Sequence, residues 1–182
     1  MKLAKRLNKI EPFHVMDLLA RAKNMQAQGR DIIHLEIGEP DFSTPDAIVQ
    51  AGICALQAGK THYTAATGLP ELKQAISQFY LDRYRENVDP DRIVVTPGAS
   101  GALQLVTALL ADEGESLLLP DPGYPCNRHF LRLLGADGVL VPTQPEQAFK
   151  LTPELVDQYW QPNSIGALVA SPANPTGAVM SR

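Results

Sequence analysis

The chain has 182 residues, 45% of them apolar, with a net charge of −4, enough to bury a core in one large domain or in a domain with an arm. Its lysines and arginines form no stripe interleaved with aromatic residues, so neither composition nor charge points to nucleic acid. Lys2, Lys5, Arg6 and Lys9 cluster at the start, but Glu11 and Asp17 arrive before any long apolar run, so no signal peptide or membrane span is expected and the cluster reads as a solvated arm. Cys54 and Cys126 lie far apart without His or Cys at ligand spacing, and His14, His34, His62 and His129 are scattered. That pattern predicts reduced thiols, a cytoplasmic address and no metal.

In chain order, Val15, Leu18, Leu19, Ala22 and Met25 recur at helical spacing and predict a helix over 12–28. The run DIIHLEIG is rich in strand formers and is broken by Gly38. STPDAIVQAGICALQAG carries helix-start chemistry, with Thr44 as N-cap, Pro45 at the first helical position, Asp46 in the first turn and Gly59 as terminator. In the next helix, GLPELKQAISQFYLDRYRENV, Leu72, Ile76, Phe79 and Tyr80 share an apolar face. Beyond it RIVVT, SLLLP, GVLVP and GALVA have strand length, and SGALQLVTALLA and YPCNRHFLRLLG are helical runs among them. Strands separated by helices define an α/β protein, with a mostly parallel sheet and helices on both faces.

Such sheets bind ligands at the carboxyl ends of their strands. After RIVVT, the residues Gly98, Ala99, Ser100 and Gly101 form a tight turn running into a helix. It reads either as an anion cradle, with close backbone N–H groups and a helix N-terminus, or as a glycine-rich turn without a ligand. Tyr124 follows SLLLP as a ring able to stack on a planar heterocycle, or to pack on the next helix. Asn174 follows GALVA as an amide donor, or as the first residue of an Asn-Pro-Thr-Gly turn. Together the three strand ends present a cradle, a flat ring and an amide.

The ordered motifs LEIGEPDFSTP, HYTAATGLPELKQAI, PGASGALQL, PDPGYP and SPANPTG, spanning Leu35 to Gly177, resemble the N-terminal part of the class I/II aminotransferases of the pyridoxal-phosphate fold-type I family. The resemblance implies an incomplete large domain over 41–182, preceded by a helix and arm over 1–40 that belong to the small domain in that family. It implies pyridoxal 5'-phosphate as cofactor, with Gly98, Ala99 and Ser100 on its phosphate, Tyr124 stacked on its ring and Asn174 on its phenolic oxygen. Tyr63 would reach the partner subunit's phosphate in a homodimer, and Gly38 would line the substrate carboxylate site. An amino acid and a 2-oxo acid are the implied substrates.

In the family, the cofactor-anchoring lysine lies beyond the SPANPTG motif. So do the aspartate at the ring nitrogen and the arginines on phosphate and substrate. No catalytic residue is therefore assigned here, and the chain is expected to be an inactive, truncated portion of an enzyme. A carbon–sulfur lyase of the same fold and a non-catalytic ligand-binding or dimerisation module are the alternatives. The resemblance also implies cis peptide bonds at Asp121–Pro122 and Asn174–Pro175, where a trans type I turn equally suits Asn174 to Gly177.

Overall fold

The computed structural model describes residues 2–180. The chain divides into two compact units, one formed by residues up to His34 together with those from Ser100 onward, the other by Leu35–Ala99.

The first unit is organised by a three-stranded parallel sheet of order β2-β1-β3, with β1 Ser116–Asp121, β2 Asp137–Pro142 and β3 Ser164–Ala167. Its helices are α1 (His14–Ala27), the body of α4 (Gly98–Leu110), α5 (Cys126–Leu134) and α6 (Pro153–Tyr159). The middle strand β1 is the apolar run SLLLP, and Leu118 stands opposite both Val139 and Ala167. A strand paired on both edges must bury its side chains, and Leu118 is fully buried with Leu131 of α5 and Val141 of β2. Leu119, Leu131, Ala111 and Ala136 make one continuous cluster, which fastens α5 and the end of α4 to the sheet. Buried polar groups there are paired: Thr107 Oγ1 donates to the Leu103 carbonyl (2.8 Å), and the Ser116 and Ser164 hydroxyls meet at 3.2 Å.

The second unit holds α2 (Asp46–Gln57) and α3 (Pro70–Tyr84). Proline at the start of α3 suits a first turn, whose N–H groups have no intrahelical partner. Lys73 pairs with Asp91 at 3.7 Å, and the Ser77 hydroxyl donates to the Val88 carbonyl. The apolar faces of both helices are open: Ile48, Leu56, Leu72 and Phe79 are all exposed. No helix among the described residues is long and apolar enough to cross a membrane.

The α/β architecture with a parallel sheet is as the sequence predicts, but four local expectations change. DIIHLEIG forms no strand. RIVVT is extended but joins no ladder; the Val95 N–H donates instead to the Thr67 carbonyl at 3.0 Å, because strand propensity is expressed only beside a partner. The turn at Gly98 therefore does not follow a strand of the sheet. Thr44 does not cap α2: the helix begins at Asp46, and the Pro45 carbonyl accepts from Ile48 (2.9 Å) and Val49 (3.2 Å), leaving Thr44 one residue too far out. The basic arm stays exposed but is anchored to the first unit, not free. Lys5–Lys9 form a 3-10 turn, Lys9 pairs with Asp137 at 3.3 Å, and Arg132 donates to the Lys9 carbonyl at 2.5 Å.

Candidate functional site

The carboxyl end of β1 is pinned before it turns. The Thr143 N–H and hydroxyl both donate to the Asp121 carbonyl, at 2.8 and 3.0 Å. The chain then passes a cis Asp121–Pro122 bond and Gly123 to reach Tyr124, just ahead of α5. Gly123 has no alternative, since a β-carbon there would lie 2.4 Å from the Pro120 carbonyl oxygen. Beyond β3, the Leu168 N–H still donates to the Leu118 carbonyl (2.9 Å), and the chain then enters the turn that carries Asn174. That turn is closed by bonds from the Ala173 N–H to the Ala178 carbonyl and from the Gly177 N–H to the Ala173 carbonyl, both 2.8 Å. Gly177 has φ +70°, a conformation natural to glycine. Asn174–Pro175 is cis as expected, and so is Ser171–Pro172, which the sequence did not flag.

These two strand ends face one cavity of about 190 Å³, lined by Tyr124 and Asn174 together with Asn127, Arg128, Phe149 and Lys150. Asn127 and Arg128 lie in the first turn of α5, so one helix start delivers them with Tyr124. Asn127 Oδ1 and Arg128 Nε are buried without hydrogen-bond partners among the described residues, and a polar ligand would satisfy them. The Tyr124 phenol meets the Cys126 side chain, whose hydrogen bond holds it above the usual phenol range. Burial pushes in the same direction, and the Ser100 hydroxyl, also hydrogen-bonded to it, pulls the opposite way. Tyr124 is therefore a neutral ring at physiological pH.

Two of the residues singled out in the sequence, Tyr124 and Asn174, thus come together on one cavity of the first unit; Ser100 belongs to the same unit, and its hydroxyl draws the Tyr124 pKa down against the larger raising effects. Gly98, Ala99, Tyr63 and Gly38 belong to the second unit. Gly98 opens the turn with φ +73°, its N–H on the Thr96 carbonyl (2.7 Å) and its own carbonyl accepting from the Thr96 hydroxyl (2.8 Å). Tyr63 is fully exposed, and nothing lies within 4 Å of where a Gly38 β-carbon would be. The sequence missed Asn127, Arg128, Phe149 and Lys150. The first two were within reach, because a helix that starts immediately after a site residue turns its first side chains toward the same rim; the last two arrive through tertiary packing of a loop.

A parallel sheet whose strand ends bring an aromatic ring and an amide to one cavity has the layout of α/β domains that take ligands at the carboxyl ends of their strands. Residues 30–182 match the model of the family described as aminotransferase class I and II, and the chain belongs to that family. It is 41% identical over 180 residues, 99% of this chain and 46% of the relative, to a (5-formylfuran-3-yl)methyl phosphate transaminase of Methanocaldococcus jannaschii. It is 36% identical to an aspartate aminotransferase of Geobacillus stearothermophilus, over 98% of this chain and 46% of that one. Among solved structures, an aminotransferase from Mycobacterium tuberculosis superposes with a TM-score of 0.93 at 36% identity, over 99% of this chain and 46% of that one. The chain spans about half the length of the relatives it matches.

Proposed function

We propose that this chain supplies the cofactor-facing part of a pyridoxal-phosphate-dependent aminotransferase, which exchanges an amino group between an amino acid and a 2-oxo acid. The observation that carries this reading is the single cavity shared by Tyr124 and Asn174.

The residues present suit pyridoxal phosphate, a flat, polar ring bearing a dianionic phosphate. The cavity offers a ring for its face, an amide for its edge and two buried polar atoms without partners among the described residues. Bound there, the cofactor supplies the electron sink that lets an amino group leave one carbon skeleton and join another. The chain's own part is binding and orientation. Tyr124 stacks on the ring, and its neutral phenol brings no charge of its own to that face. The Asn174 amide donates to the phenolic oxygen, holding negative charge on it. Gly98, Ala99 and Ser100 would hold the phosphate, Ala99 and Ser100 through backbone N–H groups, with the Ser100 hydroxyl and the positive end of α4, while Gly98, its own N–H on the Thr96 carbonyl, shapes the turn. Gly38 lines the substrate carboxylate site, and Tyr63 reaches the partner subunit's phosphate in a homodimer; the full exposure of Tyr63 and the open apolar faces of α2 and α3 are consistent with such a partner. Both cysteines are free, which supports a cytoplasmic setting.

The relatives are transaminases, which favours transamination over lyase chemistry, but they range over aspartate, valine–pyruvate and asparagine enzymes. The substrate class proposed is accordingly no narrower than an amino acid and a 2-oxo acid. The test is a spectroscopic titration of the intact gene product with pyridoxal phosphate. Asn174→Ala and Tyr124→Ala are each expected to weaken binding by about tenfold or more, as loss of a hydrogen bond to a charged oxygen or of a stacking face implies. Binding that neither substitution changes would sink the reading.

A further inference from the structure

The docked arm ends against Tyr124. Its anchors all lie on α5 or on the strand that follows: Arg6 donates to the Leu133 carbonyl, Lys9 pairs with Asp137, and Arg132 donates to the Lys9 carbonyl. A cation on the last carbonyls of α5 also meets the negative end of the helix. The final anchor is Glu11, whose carboxylate takes the Arg128 guanidinium at 2.8 Å. Arg128 stands four residues after Tyr124, in the first turn of the helix that follows that ring. Two residues beyond Glu11, the Phe13 ring meets Tyr124 edge to face, with centroids 6.3 Å apart and planes at 78°.

The Tyr124 ring is thus met by Phe13, while the Cys126 and Ser100 side chains act on the ionisation of its phenol in opposite directions. An exposed ion pair contributes little stability by itself, and Glu11 is more than half exposed. Its consequence here is geometric, since it fixes the backbone two residues before Phe13.

We infer that Phe13 is a positioning residue which sets the plane of the Tyr124 ring, and that the Glu11–Arg128 pair holds Phe13 in place. The value of this to function rests on the reading of Tyr124 as the cofactor's stacking face. A T-shaped pair contributes a preferred angle as well as contact, so removing Phe13 frees the Tyr124 ring to rotate without emptying the cavity.

The experiment labels the intact gene product with fluorotyrosine and assigns the Tyr124 fluorine resonance by its loss in Tyr124→Phe. Phe13→Ala is expected to shift or broaden that resonance and to weaken pyridoxal phosphate binding about two- to twelvefold. Phe13→Tyr, which keeps the edge contact, restores the affinity. Glu11→Gln, an exposed substitution that leaves folding intact, moves the Tyr124 resonance in the same direction, and added salt reproduces that movement in the unsubstituted protein. A Tyr124 resonance indifferent to both Phe13→Ala and Glu11→Gln overturns the inference, whatever happens to affinity. Movement in the variants, with no response of the Tyr124 resonance to added cofactor in the unsubstituted protein, supports the positioning role and instead contradicts the cofactor reading.

Discussion

A β-carbon on Gly123 would stand 2.4 Å from the Pro120 carbonyl oxygen, so the turn that delivers Tyr124 to the cavity accepts only glycine. The obstacle is backbone, which cannot rotate aside as a side chain can. Gly123→Ala is expected to destabilise the fold by about 1–3 kcal/mol, as overpacking does, and to displace Tyr124. Urea denaturation gives the first effect and pyridoxal phosphate titration the second. Unchanged values for both would mean that the turn opens freely.

Leu131 is fully buried and joins α5 to the cluster of Ala111, Leu119 and Ala136. Truncating it to alanine leaves a cavity beneath the helix that carries Asn127 and Arg128. The expected loss is about 2–5 kcal/mol, read as a lower denaturant midpoint. The denaturant slope should stay constant if the unfolded state is unaffected.

The start of α6 offers a smaller, local test. Thr152 caps the helix by accepting from the Leu155 N–H at 3.4 Å, and Pro153 occupies the first turn. The same threonine hydroxyl, more than any other group, holds the Glu154 carboxyl below its ordinary range. Thr152→Ala should cost about 1 kcal/mol in thermal or urea unfolding, and Thr152→Ser should recover most of it.

His129 sets an acid sensitivity. Burial is the main cause of its lowered pKa; Arg128 and Arg132 lower it further and Glu11 opposes them. Its Nδ1 is buried without a partner among the described residues. Because the unfolded chain binds this proton more readily than the folded one, the contribution is complete above the ordinary histidine value of about 6.5 and is lost as pH falls through the lower folded value. Urea midpoints should therefore decline from neutral to mildly acid pH, and His129→Gln should flatten that decline. Parallel declines in the two proteins would contradict this assignment.

What was legible in the sequence follows from locality. Tyr124 and Asn174 each come soon after a strand, in turns whose glycines and prolines are visible in the sequence, so their common rim followed from the parallel order alone. α6 escaped notice although Thr152, Pro153 and Glu154 spell a helix start, because its apolar pattern covers only seven residues. RIVVT read as a strand because nothing in five residues tells whether a neighbouring strand exists. The docking of the arm was invisible for the opposite reason: Glu11 and Arg128 are 117 positions apart, and no local pattern pairs them.

Amino-group transfer by the intact gene product tests the roles of Tyr124 and Asn174 together. It is incubated with pyridoxal phosphate and a panel of amino acids, with 2-oxoglutarate as acceptor, beside a Tyr124→Ala/Asn174→Ala double variant. Cofactor-dependent transfer from at least one donor is expected, with severe loss in the double variant while the fold survives by circular dichroism. A protein that binds no cofactor and transfers no amino group, or a double variant as active as the parent, would contradict those roles.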